Sequence, residues 1–119
     1  MNIGKIGKGG EDRTAAFLRK RGWTVIKRNY QCRFGEIDII AENAEYIIFV
    51  EVKTRNENSL FSPAEAVTPI KQQRIMLTAQ DFLSKYESEL QPRFDVAEVI
   101  IKHTATGDVY NLNYIENAF

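Results

Sequence analysis

FGEIDIIA (residues 34–41), ENAE (residues 42–45) and YIIFVEVKT (residues 46–54) decide the fold. Two runs rich in β-branched residues flank a short polar link, the pattern of two strands joined by a tight hairpin. Both runs carry apolar residues at odd and even positions, so both faces of the sheet need cover. The pattern also fixes which side chains travel together. Side chains two apart on a strand leave the same face about 7 Å apart, so Glu51 and Lys53 project together. With Ala44-Glu45 as a two-residue turn, Asp38 lies opposite Glu51. With Asn43-Ala44, or with Glu42 to Glu45 as the loop, it lies opposite Phe49. Both registers give one face of Phe34, Glu36, Asp38 and Ile40 beside Ile47, Phe49, Glu51 and Lys53. The other face, Ile37, Ile39 and Ala41 beside Ile48, Val50 and Val52, is wholly apolar. Only an odd-length loop or a bulge flips Asp38.

Outward from the hairpin, the spacing predicts a helix from about Gly10 to Arg21, with Glu11, Ala15, Leu18 and Gly22 on one face and Gly22 closing it. Residues 1–9 precede it. Trp23 to Asn29 reads as a first strand. Beyond the hairpin, a polar loop over Asn56 to Ser62 leads to a short helical turn over Pro63 to Val67. Thr68-Pro69 is an N-cap followed by proline at the first helical position. That helix is expected to reach about Leu90 on a stripe of Ile75, Ala79, Phe82, Leu83, Tyr86 and Leu90, with Pro92 ending it. Arg93 to Lys102 and Val109 to Ile115 complete the strands around a Gly107-Asp108 turn. The order α-β-β-β-α-β-β describes an α/β layered domain, a mixed sheet of about five strands with a helix on each face.

The chain has 119 residues, 44% hydrophobic and 27% charged, which fits one domain over residues 1–119 and excludes disorder, collagen and coiled coil. No apolar run approaches the roughly 20 residues of a membrane span, and no apolar stretch follows the basic start as in a signal peptide. A soluble cytoplasmic protein is expected. A lone cysteine, Cys32, excludes an internal disulfide and a Cys-rich zinc site, and a lone histidine, His103, argues against His-based catalysis. Any chemistry must come from carboxylates, lysines or hydroxyls. The formal net charge is zero, yet the first 33 residues hold 9 basic against 2 acidic side chains. Such asymmetry fits either a solvated helix face or a polyanion partner.

Glu51-Val52-Lys53 on a strand is in itself ordinary. An acid thirteen residues earlier on the preceding strand of a tight hairpin is far less common. Two like charges inside core-like strands need shifted pKa values or a cation. Asp38 and Glu51, with the Val52 carbonyl, suit Mg²⁺, an ion held by one or two carboxylates plus waters and substrate phosphate. The ion would polarise a phosphodiester and activate water, and Lys53 would orient that water or stabilise charge on the reacting phosphorus. Glu11 reads either as a helix-dipole carboxylate or as a third acidic ligand. Arg13, Arg33, Arg55, Lys71 and Arg74 are the candidate nucleic-acid contacts, with solvated faces as the alternative. Trp23 and Tyr30 are assigned to the core rather than to base stacking. Arg93 and Asp95 suit a structural pair at a strand end, and Cys32 a buried small side chain.

Asp38…Glu51-Val52-Lys53 resembles the PD-(D/E)XK nuclease signature of the restriction-endonuclease-like superfamily, with Ile37 where that signature has proline. The segments Gly7 to Glu11 (GKGGE), Arg28-Asn29-Tyr30, Gly35 to Ile40 (GEIDII), Phe49 to Arg55 (FVEVKTR), Arg93 to Val96 (RFDV) and Asn117-Ala118-Phe119 resemble the YraN family over nearly the whole chain. Ser62 stands where that family usually has glycine. These are small bacterial proteins regarded as predicted endonucleases distantly similar to archaeal Holliday junction resolvases. The resemblance implies a restriction-endonuclease-like (tRNA-endonuclease-like) three-layer α-β-α fold and Mg²⁺ or Mn²⁺ dependence. It also implies action on structured or branched DNA, a homodimer, and active-site positions at Glu11, Asp38, Glu51 and Lys53. A non-catalytic nucleic-acid-binding module of the same fold is the rival expectation.

Overall fold

The computed structural model describes residues 3–57 and 67–119, with the backbone alone for residues 3–8. The elements are α1 (Ile3–Lys20), β1 (Thr24–Cys32), β2 (Gly35–Glu42), β3 (Tyr46–Asn56), α2 (Pro69–Lys85), β4 (Gln91–Thr104) and β5 (Gly107–Ile115). The strands form one sheet in the order β1-β2-β3-β4-β5. β3 and β4 run parallel and the other neighbours antiparallel. A parallel neighbour requires a crossover, which α2 supplies. The helices cover opposite faces. Ala15 and Leu18 of α1 pack on Ile39, Ala41, Ile48, Val50 and Ala97. Ile75, Ala79 and Phe82 of α2 pack on Ile40, Ile47, Phe49 and Val96. This is the layered α-β-α arrangement that the sequence predicts for a restriction-endonuclease-like domain. No helix among the described residues is long and apolar enough to cross a membrane.

Several boundaries differ from the sequence reading. Helix α1 starts at Ile3 rather than near Gly10 and ends on Gly22 at φ 88°, a left-handed cap as expected. Helix α2 starts as predicted, Thr68 accepting the Lys71 N–H, but stops at Lys85 rather than Leu90. Tyr86 is already extended, at φ −126°, yet Tyr86 and Leu90 pack against the α2-side cluster. An extended segment thus continues the apolar stripe that mimicked two more helical turns. Pro92 does not end the helix; it pairs with Ile47 at the start of β4. Cys32 is half-buried, its sulfur accepting the Phe34 N–H. The loop and turn expected over 56–67 fall mostly on residues 58–66, outside the described residues.

Two segments that carry the family resemblance serve the fold. Asp95 is wholly buried on β4 and accepts four hydrogen bonds. Arg93 donates two of them, from Nε at 3.0 Å and Nη2 at 2.9 Å. Tyr114 Oη donates at 2.6 Å and the Asn117 N–H at 2.9 Å. The Arg93 guanidinium also lies over the rings of Tyr46 and Trp23. The Ala118 N–H reaches the Phe94 carbonyl, and Phe119 stacks on Phe94 at 5.4 Å. Arg93-Phe94-Asp95-Val96 and Asn117-Ala118-Phe119 are therefore two halves of one clasp that closes the chain end onto the sheet.

The structural pair expected of Arg93 and Asp95 is thus present, and removing one partner strands the others. Asp95→Ala is expected to cost about 3–5 kcal/mol, the range for an uncompensated buried charge pair. The midpoint of urea unfolding reads it.

Candidate metal and nucleic-acid site

The site begins with the turn of the central hairpin. Asn43 Oδ1 accepts the N–H groups of Glu45 and Tyr46, and the Asn43 N–H bonds the Tyr46 carbonyl. Ala44 and Glu45 are therefore the two turn residues, the first of the registers considered above. Pairs run Glu42↔Ile47 to Ile39↔Val50, and one further step sets Asp38 across from Glu51. The ladder stops before that step. The Asp38 Oδ2 atom accepts the Val52 N–H at 2.7 Å, where a strand carbonyl would otherwise sit. From Asp38 back to Gly35, β2 stays paired to β1 but has left β3.

Alternation breaks at the same point. Ile39 packs on the α1 side and Ile40 on the α2 side, as period two demands, but Ile37 also packs on the α2 side. The expectation of Ile37 on one face with Ile39 and Ala41 is thus corrected. The break sits opposite Asn29 of the neighbouring strand, which lies between the paired Arg28↔Ile39 and Tyr30↔Ile37 and has φ 52°, a left-handed conformation. Asp38 is therefore not simply another residue of the α2-side face. It stands at the break, its carboxylate turned onto the β3 backbone.

Glu51 keeps its expected face, beside α2, with its side chain only 7% exposed. One oxygen, Oε1, carries two ammonium groups: Lys71 Nζ at 2.9 Å and Lys53 Nζ at 3.2 Å. Burial pushes Asp38 up to about 7, Glu51 adds to the rise, and the Val52 N–H opposes it. Glu11 and Glu36 push it further in the same direction. Burial and then the adjoining Lys71 push the Lys53 ammonium down. Burial would also lower Lys71, but Lys53 and Glu51 outweigh it and hold Lys71 up.

Glu11 arrives from the opposite layer. Gly10 lets α1 approach β3 closely, since a Cβ there would overlap the Thr54 hydroxyl. The helix bond from Thr14 Oγ1 to the Gly10 carbonyl fixes that turn. Glu11 follows directly, and its Oε1 is buried without a hydrogen-bond partner. Burial raises this carboxyl against the pull of Arg28. Among the described residues, however, no three acidic, histidine or cysteine side chains gather closely enough to hold an ion. Glu11, Asp38 and Glu51 do not form one compact three-acid cage. Glu11 stands on the α1 side and Glu51 on the α2 side, and Asp38, at the break between them, feels both.

The donors are all hard oxygens, which suit Mg²⁺ or Mn²⁺. The N–H and C=O of one strand residue point the same way, so the Val52 carbonyl faces the Asp38 side of β3. Unbalanced negative charge at Asp38 and the orphaned Glu11 oxygen both fit a cation. Mg²⁺ typically takes one or two carboxylates and completes its shell with waters and substrate, so a three-acid cage is not required.

A cleft of about 410 Å³ opens over Glu51, between Glu36 of β2 and Lys71, Arg74 and Ile70 of α2. Glu36, Gly35 and Arg74 also line a second hollow of about 510 Å³, bounded by Arg33 and Phe34. Of the candidate phosphate contacts, Lys71, Arg74 and Arg33 line this trough. Arg13 and Arg55 do not. The Arg13 guanidinium lies 3.5 Å over the Tyr110 ring, and Arg55 donates to the Asn56 and Glu57 carbonyls. Tyr30 and Trp23 pack against the two core clusters, as expected. Sequence reasoning missed the Lys71–Glu51 contact. Thr68-Pro69 places Lys71 in the first turn of α2, but no spacing tells which strand that turn faces.

The family model described as "Uncharacterised protein family UPF0102" matches residues 10–99. A UPF0102 protein of Clostridium acetobutylicum is 45% identical over 97% of this chain and 93% of its own length. UPF0102 proteins of Dictyoglomus turgidum and Caldicellulosiruptor saccharolyticus are 43% and 38% identical over the full length of both chains.

The electrostatics give a stability test. Asp38 sits at about 7 in the folded chain against an ordinary 3.8. Between those values the folded state keeps a proton that the unfolded chain releases, so stability falls as pH rises through that window. Above it the penalty is complete. Asp38→Asn keeps an acceptor for the Val52 N–H and removes the charge. It is expected to be more stable than the parent at pH 8 by on the order of 2–4 kcal/mol, with the gap closing near pH 4. Urea midpoints across that range measure it.

Proposed function

The chain belongs to the UPF0102 family, the YraN family that its motifs resemble, and we propose that it is a metal-dependent endonuclease acting on structured or branched DNA. The observation that carries this reading is Asp38, a carboxylate pushed up to about 7 by burial and by Glu51 across the splayed hairpin. Lys71, on the wall of a cleft lined by basic side chains, feels the Asp38 charge. The Val52 N–H matches one oxygen of this acid, but burial, Glu51, Glu11 and Glu36 all act against its charge.

In this reading Asp38, Glu51 and the Val52 carbonyl hold Mg²⁺ or Mn²⁺, with Glu11 acting from the α1 side through water. The ion supplies Lewis-acid polarisation of a phosphodiester and a water of lowered pKa. Lys53, fixed two residues beyond Glu51, stabilises charge on the reacting phosphorus or orients the attacking water. Arg33 and Arg74 bind backbone phosphates along the trough, a sequence-independent contact that suits recognition by shape. The preference for branched DNA rests on the resemblance to Holliday junction resolvases. The same resemblance implies a homodimer, and sedimentation of the intact chain tests that.

Four-way junctions, flaps, single strands and plasmid, incubated with Mg²⁺ or Mn²⁺, test the activity. Cutting is expected in metal, to vanish in EDTA, and to fall at least about 10³-fold in Asp38→Asn and Glu51→Gln. Lys53→Met is expected to lose roughly 10²-fold. Arg74→Ala should cut more slowly and lower the slope of log binding against log salt by about 1. Metal-dependent cutting of none of these substrates, with binding retained, would favour the non-catalytic module instead.

A further inference from the structure

We propose that Lys71 is a resident counter-cation of the carboxylate site: it holds Glu51 until a divalent ion takes over, and its freed ammonium then binds the DNA backbone. This rests on the nuclease reading above and concerns how that site loads.

Two ammonium groups converge on one carboxylate oxygen, Lys71 Nζ at 2.9 Å and Lys53 Nζ at 3.2 Å from Glu51 Oε1. One balances Glu51 itself; Asp38 nearby adds to the hold on Lys71. The two differ in how they are held. Lys53 rises from the same strand, two residues on, and its side chain is 23% exposed. Lys71 reaches over from the first turn of α2 and is 38% exposed, along the wall of the cleft. Its contact is the shorter, but it alone of the two has the open cleft to move into.

A buried carboxylate without a cation is costly, which gives Lys71 a role before metal arrives. A divalent ion on Glu51 competes with that ammonium for the same oxygen and repels it. Lys71 then has somewhere to go. Arg74 follows one turn later on the same helix and lines the same cleft, and the α2 N-terminus beneath favours anions. A phosphate there would hold Lys71 away from Glu51. Metal and DNA thus relieve the same contact, and each should improve the affinity of the other by an equal factor.

Calorimetric titration of the intact chain with Ca²⁺, and separately with Mn²⁺, tests this without any turnover. Lys71→Met and Lys71→Gln are expected to bind either ion about two- to fivefold more tightly than the parent, the scale of a half-exposed ion pair. Lys71→Arg, which keeps the pair, should not. Junction DNA added with Ca²⁺ should tighten ion binding in the parent and do so less in Lys71→Met. Equal or weaker ion binding by both neutral variants overturns the counter-cation while leaving the nuclease reading intact. A parent chain that binds neither ion and cuts nothing overturns both. Circular dichroism of each variant confirms that the folded state is being compared.

Discussion

One hydrogen bond organises the site: the Val52 N–H given to the side chain of Asp38 rather than to a strand carbonyl. A regular antiparallel ladder would continue past Ile39↔Val50 and close the space between the strands. Here a carboxylate stands in the ladder instead, and β2 leaves β3. β3 loses little, because its other edge stays paired with β4 from Tyr46 to Asn56. β2 likewise keeps β1. Each strand retains one partner, so the sheet can part at a single seam without losing its continuity. The seam faces Glu51 on one side and the Glu11 layer on the other. Without that parting, two acids on neighbouring strands would be one more cross-strand pair of like charges, destabilising and with no room for a ligand.

The two helices serve the seam differently. α1 comes close to β3 because Gly10 has no side chain, and it brings Glu11 with it. α2 is anchored by Thr68 and Pro69 and brings two bases, Lys71 and Arg74, over Glu51. One layer thus brings an acid to the α1 side of the seam and the other brings bases to its α2 side. That polarity is what the proposed nuclease would use, acids as ligands for a cation and bases as contacts for phosphate. The basic excess of the first 33 residues contributes less to this than its count implies. Arg13 is spent on Tyr110, Arg21 lies over Phe17, and Arg28 pairs with Asp12.

Which parts were legible follows from how local each signal is. The hairpin register was readable to within two choices, because the turn length and period two fix it, and Asn43 capping its own turn selected one. The faces of Glu51 and Lys53 followed directly. The reversal at Asp38 was not readable. It lies opposite a left-handed asparagine in β1, and the pattern of one strand reports nothing about its neighbour's φ. The far end of α2 misled for a related reason. Apolar residues at helical spacing bury equally well from an extended segment, and Tyr86 and Leu90 do so. Glu11 was found through its helix position, but its distance from Glu51 is set by the thickness of the sheet. No one-dimensional spacing encodes that.

Two aspartates of this sheet show how structure separates a fold-holding acid from a chemical one. Both lie within the same mixed sheet and both accept a backbone N–H. Asp95 receives that N–H, a bidentate guanidinium and a phenol, so every lone pair is used and its charge is cancelled where it sits. Asp38 receives the Val52 N–H, and Glu51, Glu11 and Glu36 all act against its ionised form. Folding selects for the first arrangement, because a satisfied buried ion neither costs much nor invites a ligand. Folding asks only for an acceptor for the Val52 N–H at position 38, and an asparagine would supply one without the repulsion. An acid opposed by three others at a parted seam is the feature that the proposed metal site would explain, since a divalent cation there would offset their repulsion.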